Sequence, residues 1–132
     1  MIVVDASVLS NVVGDDGAAG AVARDRLGDD SELFAPDLVD VETVAVLRRR
    51  WLRNDLSDNR FAAAVEDLLA LPIKRMPVGP LMPRAFALRA NVTAYDACYV
   101  ALAETLDCVL LTADARLAGA PTIMCDVEVL TT

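Results

Sequence analysis

The chain has 132 residues and a formal net charge of −8, with 55% hydrophobic residues, 5% aromatic residues and no histidine. That length suits a single domain spanning residues 1–132, and the composition excludes disordered, collagen-like and low-complexity classes. The acidic balance argues against gripping nucleic acid through overall charge, and the missing histidine removes His-based triads, His-ligated zinc and His general bases.

Short apolar runs alternate with longer helical patterns along the chain. Ile2-Val3-Val4 reads as a buried strand, Val8 to Val13 as a short helix ended by Gly14, and Ala18 to Leu27 as a helix closed by Gly28. Glu32 to Ala35 is a predicted strand stopped by Pro36. From Leu38 to Arg53 the spacing of Val41, Val44, Ala45 and Leu52 is helical. Ser57 caps a predicted helix that runs to Leu71, with Pro72 beyond its end. Ile73 to Met76 is the third strand and Leu81 to Ala90 a helix. Thr93 caps a helix reaching Leu106, Val109 to Leu111 is the fourth strand, Asp114 to Leu117 a short helix, and Thr122 to Met124 the fifth strand. Strands alternating with helices predict an α/β fold, a three-layer α/β/α domain around a central parallel sheet of about five strands. Their continuous apolar character predicts burial on both faces.

No apolar run approaches the roughly 20 residues a membrane helix requires, and Asp5 interrupts the N-terminus with no basic segment before it, so neither an anchor nor a signal peptide is expected. Cys98, Cys108 and Cys125 are odd in number and lack a C-x-x-C pair, which fits a reducing cytoplasm and neither a disulfide framework nor a zinc site.

Parallel α/β sheets place their sites outside the carboxyl ends of the strands, where helix N-termini also point. Asp5 follows the first predicted strand, Asp114 lies just past the fourth, and Asp96 and Glu42 sit near the starts of their helices. Each acid alone is explained as an N-cap or a helix-start preference. Four carboxylates converging on one edge repel each other and raise each other's pKa, so the cluster calls for a cation. Hard oxygen donors without His or Cys select Mg²⁺ or Mn²⁺, and that chemistry is metal-assisted attack on a phosphodiester.

The same residues carry a resemblance. Val3-Val4-Asp5-Ala6-Ser7-Val8-Leu9, Ala35-Pro36-Asp37-Leu38 leading to Glu42, Thr93-Ala94-Tyr95-Asp96-Ala97 with Tyr99-Val100-Ala101-Leu102-Ala103, and Leu110-Leu111-Thr112-Ala113-Asp114-Ala115-Arg116-Leu117 follow one another in register over nearly the whole chain. In this the chain resembles PIN-domain ribonucleases, and most of all the VapC-type toxins of bacterial toxin–antitoxin pairs. The resemblance implies that Asp5, Glu42, Asp96 and Asp114 hold a divalent metal, Mg²⁺ with Mn²⁺ substituting. Ser7 and Thr112 would stand beside them to place a water or a phosphate oxygen. It also implies an RNA substrate, a homodimer, a cytoplasmic location and a cognate antitoxin encoded alongside. One departure is the stretch Leu38-Val39-Asp40-Val41, where such toxins often carry an aromatic and a basic residue.

Other residues carry less. Asp126 is expected after the last strand, where it could join the acidic edge in a minor role, and Asp15-Asp16 and Asp29-Asp30 read as solvated turns. Arg48, Arg49, Arg50 and Arg53 form the only dense basic run. The helical period puts Arg49 and Arg53 on the face of Glu42, where they would meet an RNA backbone; otherwise they are solvated or bridge to Asp55 and Asp58. Trp51 and Phe61 read as packing residues. Two further functions compete with the ribonuclease: a PIN-fold interaction module without catalysis, and a phospho-acceptor receiver domain. The receiver would need an acidic pair after the first strand, an acceptor Asp after the third and a late Lys. Here Asp5 stands alone, Met76 ends the third strand and Lys74 is the only lysine. A dinucleotide-binding domain fails for lack of G-x-G-x-x-G after the first strand.

Overall fold

The computed structural model describes residues 1–132. Five parallel strands form one sheet in the order β3-β2-β1-β4-β5: β1 (Ile2–Val4), β2 (Leu33–Pro36), β3 (Ile73–Met76), β4 (Val109–Thr112) and β5 (Val127–Val129). The chain steps from β1 outward to β2 and β3, then returns to the other side of β1 for β4 and β5. The sequence order therefore reverses between β1 and β4, whose register pairs Ile2 with Val109 and Val4 with Leu111. In such sheets a crevice opens outside the carboxyl ends of the strands at this reversal.

Helices α1 (Ala6–Gly14), α2 (Ala18–Leu27), α3 (Val39–Leu52), α4 (Asp58–Ala70), α5 (Met82–Ala87), α6 (Ala94–Leu106) and α7 (Ala115–Ala118) fill the connections. Helix α6 packs on β1, β2 and β4, while α1 gathers α2, α3 and α4 around it. Every residue of β1 and β2 is buried, as the apolar runs predict for strands covered on both faces. The edge strands differ: β3 and β5 are mostly half-buried, which admits Lys74, Arg75 and Glu128. The core of 33 buried apolar residues is built of Val, Leu and Ala with Tyr99 and Phe34 as its aromatics.

Four expectations need correction. The fifth strand is Val127–Val129, not Thr122–Met124; Thr122 adopts a left-handed φ of 70°, which breaks extended structure there. Asp126 consequently precedes β5 instead of following it. Its carbonyl accepts from the Leu110 amide at the start of β4, so it lies at the edge of the sheet opposite the acids. Strand β2 runs through Pro36, which aligns with Met76 of β3, and the helix expected from Leu81 is a 3-10 turn (Gly79–Leu81) followed by the shorter α5.

The acidic loops are anchored turns. The Asp15 carboxylate accepts from the amides of Gly17 (2.8 Å) and Gly20 (3.1 Å), Asp16 pairs with Arg60 (2.9 Å), and Asp30 pairs with Arg26 (2.6 Å). Where α2 leaves this corner, a Cβ on Gly20 would run into the Asp15 carbonyl, a backbone group that cannot step aside. Gly20→Ala is therefore expected to destabilise the fold by about 1–3 kcal/mol. Gly79→Ala, with open space around the added carbon, should stay within about 0.5 kcal/mol. Thermal denaturation of the two variants checks both.

Candidate active site

Asp5 leaves the end of β1 and is almost wholly buried, at 7% exposure. Its carboxylate caps α1 by accepting the Val8 amide (3.2 Å) and receives two hydroxyl protons, from Ser7 (2.6 Å) and Thr112 (2.5 Å). Each hydroxyl has one proton to give, and both are given to Asp5. Their oxygens in turn accept backbone amides beyond β4, Ser7 from Ala113 (2.9 Å) and Thr112 from Asp114 (3.0 Å). Ser7 and Thr112 thus fasten Asp5 and shape the turn that carries Asp114, rather than presenting free hydroxyls to the cleft.

Asp114 caps the short α7 through the Arg116 amide (3.0 Å) and forms a two-pronged ion pair with the Arg116 guanidinium (2.9 and 3.1 Å). Asp96 rides in the first turn of α6, where Thr93 accepts its amide (3.2 Å). Glu42, in the first turn of α3, accepts the hydroxyl proton of Tyr99 (2.6 Å), a side chain otherwise sunk in the core. Tyr99 is a positioning residue that sequence reasoning leaves in the core. Its spacing on α6 is that of a packing residue, and only its tip reaches the acids.

All four carboxylates line one cleft of about 430 Å³, together with Ser7, Val41, Arg49, Tyr95 and Tyr99. Burial raises the pKa of Asp5, Glu42 and Asp96, with smaller upward pushes from neighbouring acids. Asp114 goes the other way, held low by its bonds to Arg116. Of the two arginines expected here, Arg49 lines the cleft and pairs with no acid. Arg53 does not line the cleft and makes an exposed contact with Asp55 (3.5 Å). Arg50 turns instead to α1, donating to the Ser10 carbonyl (3.0 Å) and the Asn11 side chain (2.7 Å). Trp51 and Phe61 stack at a tilt, 6.4 Å apart, and Trp51 donates to Asp58 (2.6 Å).

The donor set is all oxygen, and no three acidic or thiol side chains close into a compact cage. Oxygen donors of this kind suit a hard cation that keeps several of its own waters when bound, as Mg²⁺ does.

A PIN domain family model matches residues 2–122. The chain belongs to the PIN-domain family. Among its relatives, Ribonuclease VapC1 of Mycobacterium tuberculosis is 41% identical over 129 residues, covering 97% of this chain and 96% of that protein. Ribonuclease VapC9 of the same species is 40% identical over 131 residues, 98% of each chain. The fold matches that of VapC20 from M. tuberculosis, described as a Sarcin-Ricin loop cleaving toxin, with a TM-score of 0.72 at 17% identity over 90% of this chain and 94% of that one. It also matches FitAcB from Neisseria gonorrhoeae, with a TM-score of 0.69 at 14% identity over 96% of each.

Replacing Asp96 tests the electrostatics without a substrate. Its folded pKa is raised, so its contribution to stability is complete below the ordinary Asp range and is lost as pH rises through the elevated value. At neutral pH the charged Asp96 is a net cost. Asp96→Asn is expected to keep or raise the thermal midpoint at pH 7, with the gain shrinking toward pH 3. Melting curves across that range check the sign.

Proposed function

We propose that this protein is a divalent-metal-dependent endoribonuclease, the toxin of a toxin–antitoxin pair, and that residues 1–132 form its single PIN domain. The observation that carries the reading is the meeting of Asp5, Glu42, Asp96 and Asp114, from four separate elements, in one cleft at the reversal point of a PIN fold. The VapC relatives supply the activity class. A partner antitoxin, assembly as a homodimer and a cytoplasmic site of action belong to the same reading.

Those four carboxylates would hold Mg²⁺, with Mn²⁺ as a substitute. The chemistry such a cation would supply is neutralisation of phosphate charge and a lowered pKa for a bound water. The chain's own residues set the stage for that chemistry. Ser7 and Thr112 hold Asp5 with two short hydroxyl bonds, and such bonds to a charged acceptor favour its ionised form against the cost of burial. Tyr99 fixes the direction of Glu42, and its own hydroxyl stays protonated because burial and the adjacent acid both oppose its ionisation. Arg49 faces the cleft from α3, where a backbone phosphate of the substrate would be received.

The purified protein should cleave RNA with Mg²⁺ or Mn²⁺, lose the activity in EDTA and leave 5′-phosphate and 3′-hydroxyl ends. Equal cleavage in EDTA would overturn the metal requirement. Asp96→Asn should abolish cleavage and toxicity, whereas Asp126→Asn, at the opposite edge of the sheet, should be nearly silent.

Arg49 and Arg53 are expected to separate. Arg49→Ala should lower the log–log salt slope of RNA binding by about one unit, as loss of one phosphate contact does, while Arg53→Ala leaves it unchanged. Binding titrations at several salt concentrations distinguish them.

A further inference from the structure

The acid cleft does not end at the acids. A second cleft, lined by Asn91, Thr93, Arg116 and Leu117, shares Asp96 and Asp114 with it, so the two form one groove across the carboxylates. At its far side stands Arg116, whose side chain is 91% exposed and whose guanidinium lies on Asp114. An ion pair so open to solvent is weak, and a phosphate offers the same planar fork an equivalent two-pronged partner. The Arg116 guanidinium makes no other hydrogen bond or ion pair, so no second polar partner holds it back from exchanging one anion for another.

On the acid side of the groove stands Tyr95, directly before Asp96 on α6. It is 64% exposed, its hydroxyl has no partner, and it lines the acid cleft. A large aromatic side chain left that open beside a charged groove has no packing reason to be there. Unpaired nucleic acid is bound by a combination of cations for the backbone and aromatic faces for the bases.

We propose that Arg116 and Tyr95 together bind the substrate strand beside the acids: Arg116 leaves Asp114 for a backbone phosphate, and Tyr95 stacks the base next to the bond to be cut. Both are positioning residues for the ribonuclease proposed above and rest on that reading. When the strand arrives, the exchange also uncovers Asp114, so substrate binding and release of that carboxylate become one event.

The test is RNA binding by fluorescence anisotropy, with a short unpaired oligonucleotide and the cleavage-dead Asp96→Asn protein as parent. Adding Arg116→Ala should weaken binding about tenfold and lower the salt slope by about one unit. Adding Tyr95→Ala should weaken binding about tenfold at an unchanged slope, and Tyr95→Phe should restore it, because stacking needs the ring and not the hydroxyl. If either Arg116→Ala or Tyr95→Ala binds as the parent does, or if Tyr95→Phe binds as poorly as Tyr95→Ala, the joint assignment is overturned while the ribonuclease reading stands. Failure of the parent itself to bind RNA, with wild-type protein also unable to cleave it, would bring down the ribonuclease reading as well. Circular dichroism of each variant confirms that the losses are not losses of fold.

Discussion

A carboxylate buried at the end of the first strand organises this molecule. Asp5 would be costly to bury without partners, and three donors surround it: the Val8 amide of its own helix and the hydroxyls of Ser7 and Thr112. Because Thr112 ends β4, the same bonds tie the neighbouring strand end to β1, and the amides of Ala113 and Asp114 complete the loop back onto those hydroxyls. The turn that delivers Asp114 to the cleft is thus held by the groups that hold Asp5. Removing any one member leaves a buried polar group unsatisfied as well as a site residue displaced.

This arrangement dissolves the choice between structural and chemical roles for the acids. Asp5 and Asp114 are helix caps by geometry, and capping is what aims their carboxylates over the strand ends. Glu42 and Asp96 come from the first turns of α3 and α6, where a negative charge is favoured by the helix dipole. The opposing directions of the pKa shifts follow from who stands nearby. Asp114 is bonded to a cation, whereas for Asp5, Glu42 and Asp96 burial dominates and a nearby acid adds a smaller push.

Much of this was legible in the amino-acid order. Helix α2 and strand β3 fall where periodicity places them, and the acids sit at strand and helix ends that a parallel sheet must bring to one side. The last strand was not legible, because Thr122-Ile123-Met124 looks more strand-like than Val127-Glu128-Val129. The outcome is decided by pairing: β5 aligns with β4 and the Leu130 amide bonds to the Thr112 carbonyl, contacts that local composition does not encode. Tyr99 was hidden for a related reason. A tyrosine among Cys98, Val100 and Leu102 reads as core, and the depth at which its hydroxyl meets Glu42 is a property of the α3–α6 approach. Arg53 follows the other of its two readings: it shares a helical face with Glu42 but meets Asp55 outside the cleft, because side-chain direction is not set by the helical period alone.

The bond between Thr112 and Asp5 spans 107 positions, which has a consequence for how the protein is made. During synthesis the first strand and its carboxylate emerge early, but the Thr112 hydroxyl and the fourth acid follow more than a hundred residues later. A ribosome-bound fragment therefore carries the beginnings of the cleft without its closure. The four acids come together only once the segment 112–114 has folded back onto β1, so no shorter stretch of the chain presents the cleft complete.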